Sequence, residues 1–435
     1  MSSSRRQIGY IELLRSNGDF RNLFTGQVIS QIGDWLNSVA LFTLLFDLTG
    51  SSQAVAYILI LRLLPLFFFG PLAGVVADRY SRKAIMIASD VLRGLLVLGF
   101  LLVRSPDQVW IIYALVAAQE ALTAFFEPAL MASIPNIVSI RGLISANALS
   151  SVSWSATLAI GAALGGIVTD VLGREAAFLI DSASFFLSAG FILAVRIPVR
   201  AADRPKRSSS LVEAIGVRDM IEGARYLRSN PRVLTLLGVK SGWGLGAGVL
   251  LLLTVFGRQV FVLGPNGGTS IGLLYAARGT GALLGPILAR AVAGHSPRAM
   301  RSAISAAFFI SAAFYLLFAS APNLLAAAIF VVGAHAGGSI QWVFSTTLLG
   351  MSVPDQFRGR VFALELALLT LSMSLSTYLT GLALDRYGLA PRSAAALLGL
   401  VFLAPGLAWV SIQPWMSRGD SQPAVGAPVD TGARL

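Results

Sequence analysis

The 435-residue chain is 55% hydrophobic and only 12% charged, with a mean hydropathy of +0.75. Soluble domains carry about a quarter charged residues, so this composition reads as a polytopic membrane protein. The formal charge of +12 requires no nucleic-acid partner, because most of the 33 Lys and Arg fall between apolar spans, where the positive-inside rule assigns them to the cytoplasm. The absence of cysteine excludes disulfides and thiolate metal sites.

Residues 1–21 contain Arg5, Arg6, Arg15 and Arg21 and no continuous apolar core, which predicts a cytoplasmic tail with a short surface helix near 10–16 rather than a signal peptide. About 20 mainly apolar residues cross a bilayer core of roughly 30 Å. Spans of that kind are expected at 22–46, 53–77, 84–103, 109–131, 146–169 and 175–195 in a first half covering 22–196. A second half covering 233–415 offers 233–256, 269–292, 299–319, 323–350, 361–384 and 392–413. The expected fold is therefore all-α, with twelve membrane helices and both termini cytoplasmic. Between the halves, the basic loop 197–232 places Val217, Met220, Ile221, Ala224 and Leu227 at helical spacing. Arg218, Asp219, Glu222, Arg225 and Arg228 take the opposite face, predicting an amphipathic helix on the cytoplasmic surface. The polar stretch 416–435 reads as a disordered cytoplasmic tail.

The halves repeat one another. Gly70-Pro71 matches Gly285-Pro286, and Gly166, Asp170 and Gly173 match Gly381, Asp385 and Gly388, both sets 215 positions apart. Arg141-Gly142 matches Arg358-Gly359 at 217. Two parallel six-helix repeats are the arrangement of transporters whose halves rock about a central site.

The stretch Gly74-Val75-Val76-Ala77-Asp78-Arg79-Tyr80-Ser81-Arg82-Lys83 packs charges and a tight turn between two apolar spans. It resembles the signature loop between helices 2 and 3 of the major facilitator superfamily, with Ser81 where a second glycine is usual. Gly33-Asp34-Trp35, Asp90-Val91-Leu92-Arg93, Pro135-Asn136, Asn147-Ala148 and Arg358-Gly359-Arg360-Val361 make the chain similar to the enterobactin-exporter and macrolide-efflux branch. The resemblance implies export by proton antiport in a bacterial inner membrane. Two departures stand against a full match: the helix 4 segment 113–127 has no arginine, and Gly161-Ala162-Ala163-Leu164-Gly165-Gly166 lacks the Gly-Pro pair of the antiporter signature.

Each ionisable residue inside a span needs a reason, since insertion costs about 2.5–3.5 kcal/mol at the bilayer centre. In the cavity helices that the resemblance implies, Asp34 and Glu120 are candidates for reversible protonation. Asp34 either carries a proton or hydrogen-bonds a neighbouring helix. Arg62 and Arg278 fall at near-equivalent repeat positions. Either they clamp an anionic substrate from opposite halves, or Arg62 pairs with Asp34 while Arg278 bonds backbone carbonyls. Lys240 and His335 complete the cavity candidates, with His335 either titrating near neutrality or simply packed. A cytoplasmic gate is expected from Gly74, Asp78, Arg79, Arg82, Lys83, Asp90, Arg93, Arg360 and Glu365. Within it, Asp78 meets Arg82 or the start of helix 11 beside Arg360, and Glu365 meets Arg79 or Arg82. Glycines at 161, 165, 166, 238, 242, 244, 246 and 248 allow close helix approach.

No P-loop occurs, because Lys240-Ser241 follows Val239 rather than glycine. No cofactor, metal or enzymatic activity is expected. The expectation is a monomeric, proton-coupled exporter of a lipophilic or amphipathic drug, macrolide or siderophore. An importer or lipid flippase of the same fold is the alternative.

Overall fold

The computed structural model describes residues 8–197, 217–294 and 296–417, and every regular element among them is helical. In the first half, α1 (Tyr10–Ser16) precedes α2 (Gly18–Thr49). Then come α3 (Ser52–Leu61), α4 (Leu64–Arg79), α5 (Arg82–Leu98), α6 (Val109–Ile137), α7 (Leu143–Val171) and α8 (Arg174–Ala194). A connecting helix, α9 (Val217–Ser229), leads to α10 (Pro231–Gly244), α11 (Val249–Val255) and α12 (Gly268–Ala293). The chain ends in α13 (Pro297–Ala319), α14 (Leu324–Ser352), α15 (Asp355–Asp385), α16 (Pro391–Val401) and α17 (Leu403–Ser417). Eleven stretches among the described residues are long and apolar enough to cross a membrane, and α3 with α4 supplies the twelfth crossing in two pieces.

Local chemistry sets the helix ends. Side-chain oxygens of Asn17, Ser51, Ser81 and Asn323 accept the backbone N–H three residues on, at 2.9–3.3 Å, filling donors that a helix start leaves open. Pro231, Pro297 and Pro391 occupy the first helical position, where a missing N–H costs nothing.

Three of the expected continuous spans are broken. The span at 53–77 breaks at Arg62-Leu63 and that at 392–413 at Phe402. Pro65 and Pro405 explain both, because neither can donate to the carbonyl four residues earlier. The span at 233–256 breaks over 245–248, within the run Gly244, Gly246 and Gly248. There Ser376 Oγ of α15 donates to Leu245 O at 2.6 Å and accepts from Gly248 N at 3.0 Å, satisfying backbone groups that the break exposes.

The halves meet most closely where α7 crosses α12. A methyl group at Gly166 would lie 2.5 Å from Gly268 O, and one at Gly272 would lie 2.4 Å from Ala162 O. Only glycine permits that approach, the small-residue packing expected between membrane helices. Of the other glycines picked out by sequence, Gly161 and Gly165 instead seat α7 against Trp35 and Leu36 of α2.

Both described ends of the chain lie on one face, here the terminal face. Ile8 is bonded to Arg141 and Ser145, and Arg232 stacks on Trp415. The connecting helix α9 also docks there: Glu222 pairs with Arg360 at 2.8 Å, and Tyr226 stacks on Phe357 with ring centroids 4.4 Å apart. The docked side carries Gly223 and Leu227, whereas Ile221, expected on the same apolar face, stays 55% exposed. Most of the connecting loop and the tail after Ser417 lie outside the described residues.

Candidate functional site

Charge in the first half is pooled. Arg62 projects from the break between α3 and α4, donating from Nη1 to Ser38 Oγ at 2.7 Å, with Nε 3.9 Å from Glu120 Oε1. The break thus delivers a guanidinium to α2 and α6 together. Arg62 pairs with Glu120, not with Asp34. The Asp34 carboxylate makes no direct hydrogen bond or ion pair among the described residues; Arg93 and Arg62 are the cations whose fields reach it. Asp90 and Arg93, three apart on α5, form a buried ion pair, 0% and 4% exposed. The Arg93 guanidinium lies between the rings of Phe126 and Phe185, at 4.7 and 4.5 Å. That pair is an interior element of one half rather than part of a gate between halves.

A fourth carboxylate belongs to this pool. Asp181 of α8 is 0% exposed beneath Gly33, where a methyl group would come within 2.5 Å of its Oδ1. Its Oδ2 has no hydrogen-bond partner. With Glu127 of α6, which also lies in the fields of Arg93 and Asp34, five acidic side chains, Asp34, Asp90, Glu120, Glu127 and Asp181, share two arginines, Arg62 and Arg93. The sequence signal for Asp181 is the one that marks Asp34, a single carboxylate inside an apolar span.

The second half keeps its polar groups apart. Lys240 Nζ bonds Glu365 Oε2 at 2.7 Å and lies 4.5 Å over the Trp342 ring, while Glu365 Oε1 is buried without a partner. His335 Nε2 is 2.9 Å from Tyr315 Oη, and Tyr315 stacks on Phe402 at 5.3 Å. Arg278 stands at the boundary between halves among Trp35, Trp154 and Tyr275, each ring centre 5.8–5.9 Å from its guanidinium carbon. Phe42 and Tyr275, 5.7 Å apart, bridge the space between Arg62 and Arg278.

The end of the loop at 74–83 bonds within its own half. Arg82 Nη1 donates to Ala132 O at 2.8 Å, and Lys83 Nζ donates to Leu193 O and Val195 O at 2.7 and 2.9 Å. Glu365, expected to meet Arg79 or Arg82, is held by Lys240, because α10 presents that ammonium directly to α15. Arg360, expected beside Asp78, pairs with Glu222 of the docked α9. The Asp78 side chain lies outside the described residues. A methyl group at Gly74 would meet nothing within 4 Å among the described residues.

The opposite, far face is closed by two carboxylates that sequence matching singled out only as repeat markers. Asp170, ending α7, accepts from Gly268 N, Thr269 N and Thr269 Oγ1 at 3.2, 2.6 and 2.7 Å, capping α12. Asp385, ending α15, accepts from Ser51 Oγ, Ser52 N and Gln53 N at 2.6, 3.1 and 2.8 Å, capping α3. Each half thus caps a helix of the other, and the two caps are related by the internal repeat. Asp47 adds ion pairs to Arg174 and Arg258, the latter from the second half. Among the described residues no cluster of His, Asp and Glu is arranged to hold a metal ion.

A family model described as the Major Facilitator Superfamily matches residues 23–365. An uncharacterized MFS-type transporter of Bacillus subtilis, YfiS, is 29% identical over 226 residues, 51% of this chain and 52% of that protein, so this match spans about half of each. Macrolide efflux protein A of Streptococcus pyogenes is 25% identical over 374 residues, covering 85% of this chain and 90% of that protein. A crystal structure of a peptide transporter POT superposes with a TM-score of 0.69 at 12% identity, covering 92% of this chain and 95% of that one, which shows the shared fold.

Proposed function

Because the chain belongs to the major facilitator superfamily, we propose that it is a proton-coupled exporter working by alternating access. The cargo is a lipophilic or amphipathic small molecule. The carrying observation is the charge imbalance inside the first half, where five carboxylates are grouped around two arginines within the spans. Asp34 and Glu120 are assigned as the proton-exchanging pair. Both are part-exposed, and Arg62 answers to Glu120 across a helix break. Protonating Glu120 weakens its hold on Arg62 and so alters the contact between α3–α4 and α6.

Direction of transport is supported by the likeness to a macrolide efflux protein. In this reading the protein is a monomer without cofactor in a bacterial plasma membrane. The terminal face is cytoplasmic, and the far-face caps of Asp170 and Asp385 hold the outward side shut. The deciding measurement is substrate movement into everted vesicles under an imposed pH gradient. Asp34→Asn and Glu120→Gln should each reduce gradient-driven transport by at least about tenfold, the scale of removing one required proton-transfer group. Normal gradient-driven transport in both variants would remove the coupling assignment. Movement in the opposite sense would favour an importer.

A further inference from the structure

We infer that Arg278 anchors an anion subsite between the two halves, and that the transported molecule carries a carboxylate on an aromatic or otherwise apolar body. The inference rests on the transporter reading and narrows its substrate class.

The two membrane-embedded arginines at equivalent repeat positions have unequal surroundings. Arg62 is engaged, by Glu120 and by Ser38. Arg278 has neither a carboxylate nor any hydrogen-bond acceptor among the described residues. Its neighbours are aromatic rings at 5.8–5.9 Å, the outer limit of cation–π attraction. Those rings offer a face to the cation and leave its N–H donors unused. Nor are these nitrogens sealed off, since they are absent from the buried, unpartnered polar atoms of the protein, where the Nε atoms of Arg62 and Arg93 do appear.

An open guanidinium fork is shaped for a carboxylate, which accepts two parallel N–H bonds. The surrounding groups set the rest of the ligand. His335, Tyr315 and Tyr275 are the titratable groups whose fields reach Arg278, and none is a carboxylate that would compete for it. Trp154 of α7 is 45% exposed beside the fork, and Trp35 of α2 stands against Tyr275 at 6.0 Å. An apolar or aromatic ligand body would rest against Trp154 and Trp35 of the first half while its anionic end is held by the second. Such a ligand bridges the two halves, as a molecule whose passage is tied to their relative motion must.

The test is calorimetric titration of the full-length protein in lipid nanodiscs with 1-naphthylacetate and with 1-naphthylacetamide, which differ only in the charged end. Charge-assisted hydrogen bonds predict that the carboxylate binds about tenfold tighter or more. Arg278→Gln should abolish that preference, so that the two probes bind that variant equally. Arg278→Lys, a point charge without the fork, should retain part of it and serves as the readout if the glutamine variant does not fold. Equal binding of the two probes to the unaltered protein, binding of neither, or an undiminished preference in both variants would overturn the subsite. Carboxylate preference without gradient-driven transport would leave the subsite standing and sink the transport reading. The reverse outcome would do the opposite.

Discussion

The long helix α15 meets the broken span α3–α4 in different ways at its two ends. At the far face, α15 presses on α3. A methyl group at Gly381 would lie 2.5 Å from Gln53 Oε1, and Asp385 caps the first turn of α3 with three hydrogen bonds. At the terminal face, a methyl group at Gly359 of α15 or Gly74 of α4 would meet nothing within 4 Å among the described residues. At the far end Asp47, Asp170 and Asp385 each hydrogen-bond from one half to the other. These caps and contacts pin the two halves together at the far face. The contrast also identifies what such closure is made of: paired carboxylate caps and glycine contacts, both duplicated by the internal repeat.

Substitutions graded by their expected effect would break or sharpen this contrast. Gly272→Ala should have the largest effect, because its methyl group meets the Ala162 carbonyl at 2.4 Å. Overpacking of this kind costs about 1–3 kcal/mol. The cost should appear as a shift towards the far-face-open form rather than as loss of folded protein. The cysteine-free chain accepts single reporter cysteines without background, so labelling of a far-face position reads that shift. Full protection in the variant would show that this crossing does not open.

Asp170→Ala and Asp385→Ala come next. Loss of a helix cap costs about 0.5–2 kcal/mol, a change of about 2–30-fold in the ratio of the two conformations. The repeat relation predicts similar single effects that add in the double variant, since the caps serve separate helix pairs. A strongly non-additive result would mean that the two caps release together. The smallest effect belongs to Gly74→Ala. In the observed conformation it should change stability by no more than about 0.5 kcal/mol. Transport should nevertheless slow if the terminal face closes on that glycine, and unchanged transport would take Gly74 out of the gate.

Much of this was legible in the sequence, and what was not has a common cause. The crossings, the repeat and the isolated membrane charges follow from local composition, which a single chain carries in full. Even the breaks at Arg62-Leu63 and Phe402 have local causes, in Pro65 and Pro405. Pairings do not. Whether Arg62 meets Asp34 or Glu120, and whether Glu365 meets Arg82 or Lys240, depends on how helices distant in sequence are rotated about their axes. Rotations of tens of degrees exchange one partner for another at equal cost in hydrophobic burial. Asp181 shows the converse. Its apolar surroundings are plain between Phe178 and Phe185, but its membership of the charged pool depends on Gly33 of α2 leaving room for it.

The Pro65 break also has a mechanical consequence. A continuous helix is a stiff rod, so a push at one end reaches the other. With the ladder interrupted at Leu61, bending in α4 need not twist α3. The outer piece can stay clipped to Asp385 while the inner piece swings, and Arg62 sits at the pivot. In the proposed coupling, charge exchange at Glu120 would act on a bearing rather than on a lever, where a small change in force sets the angle of a long arm without having to move the whole helix.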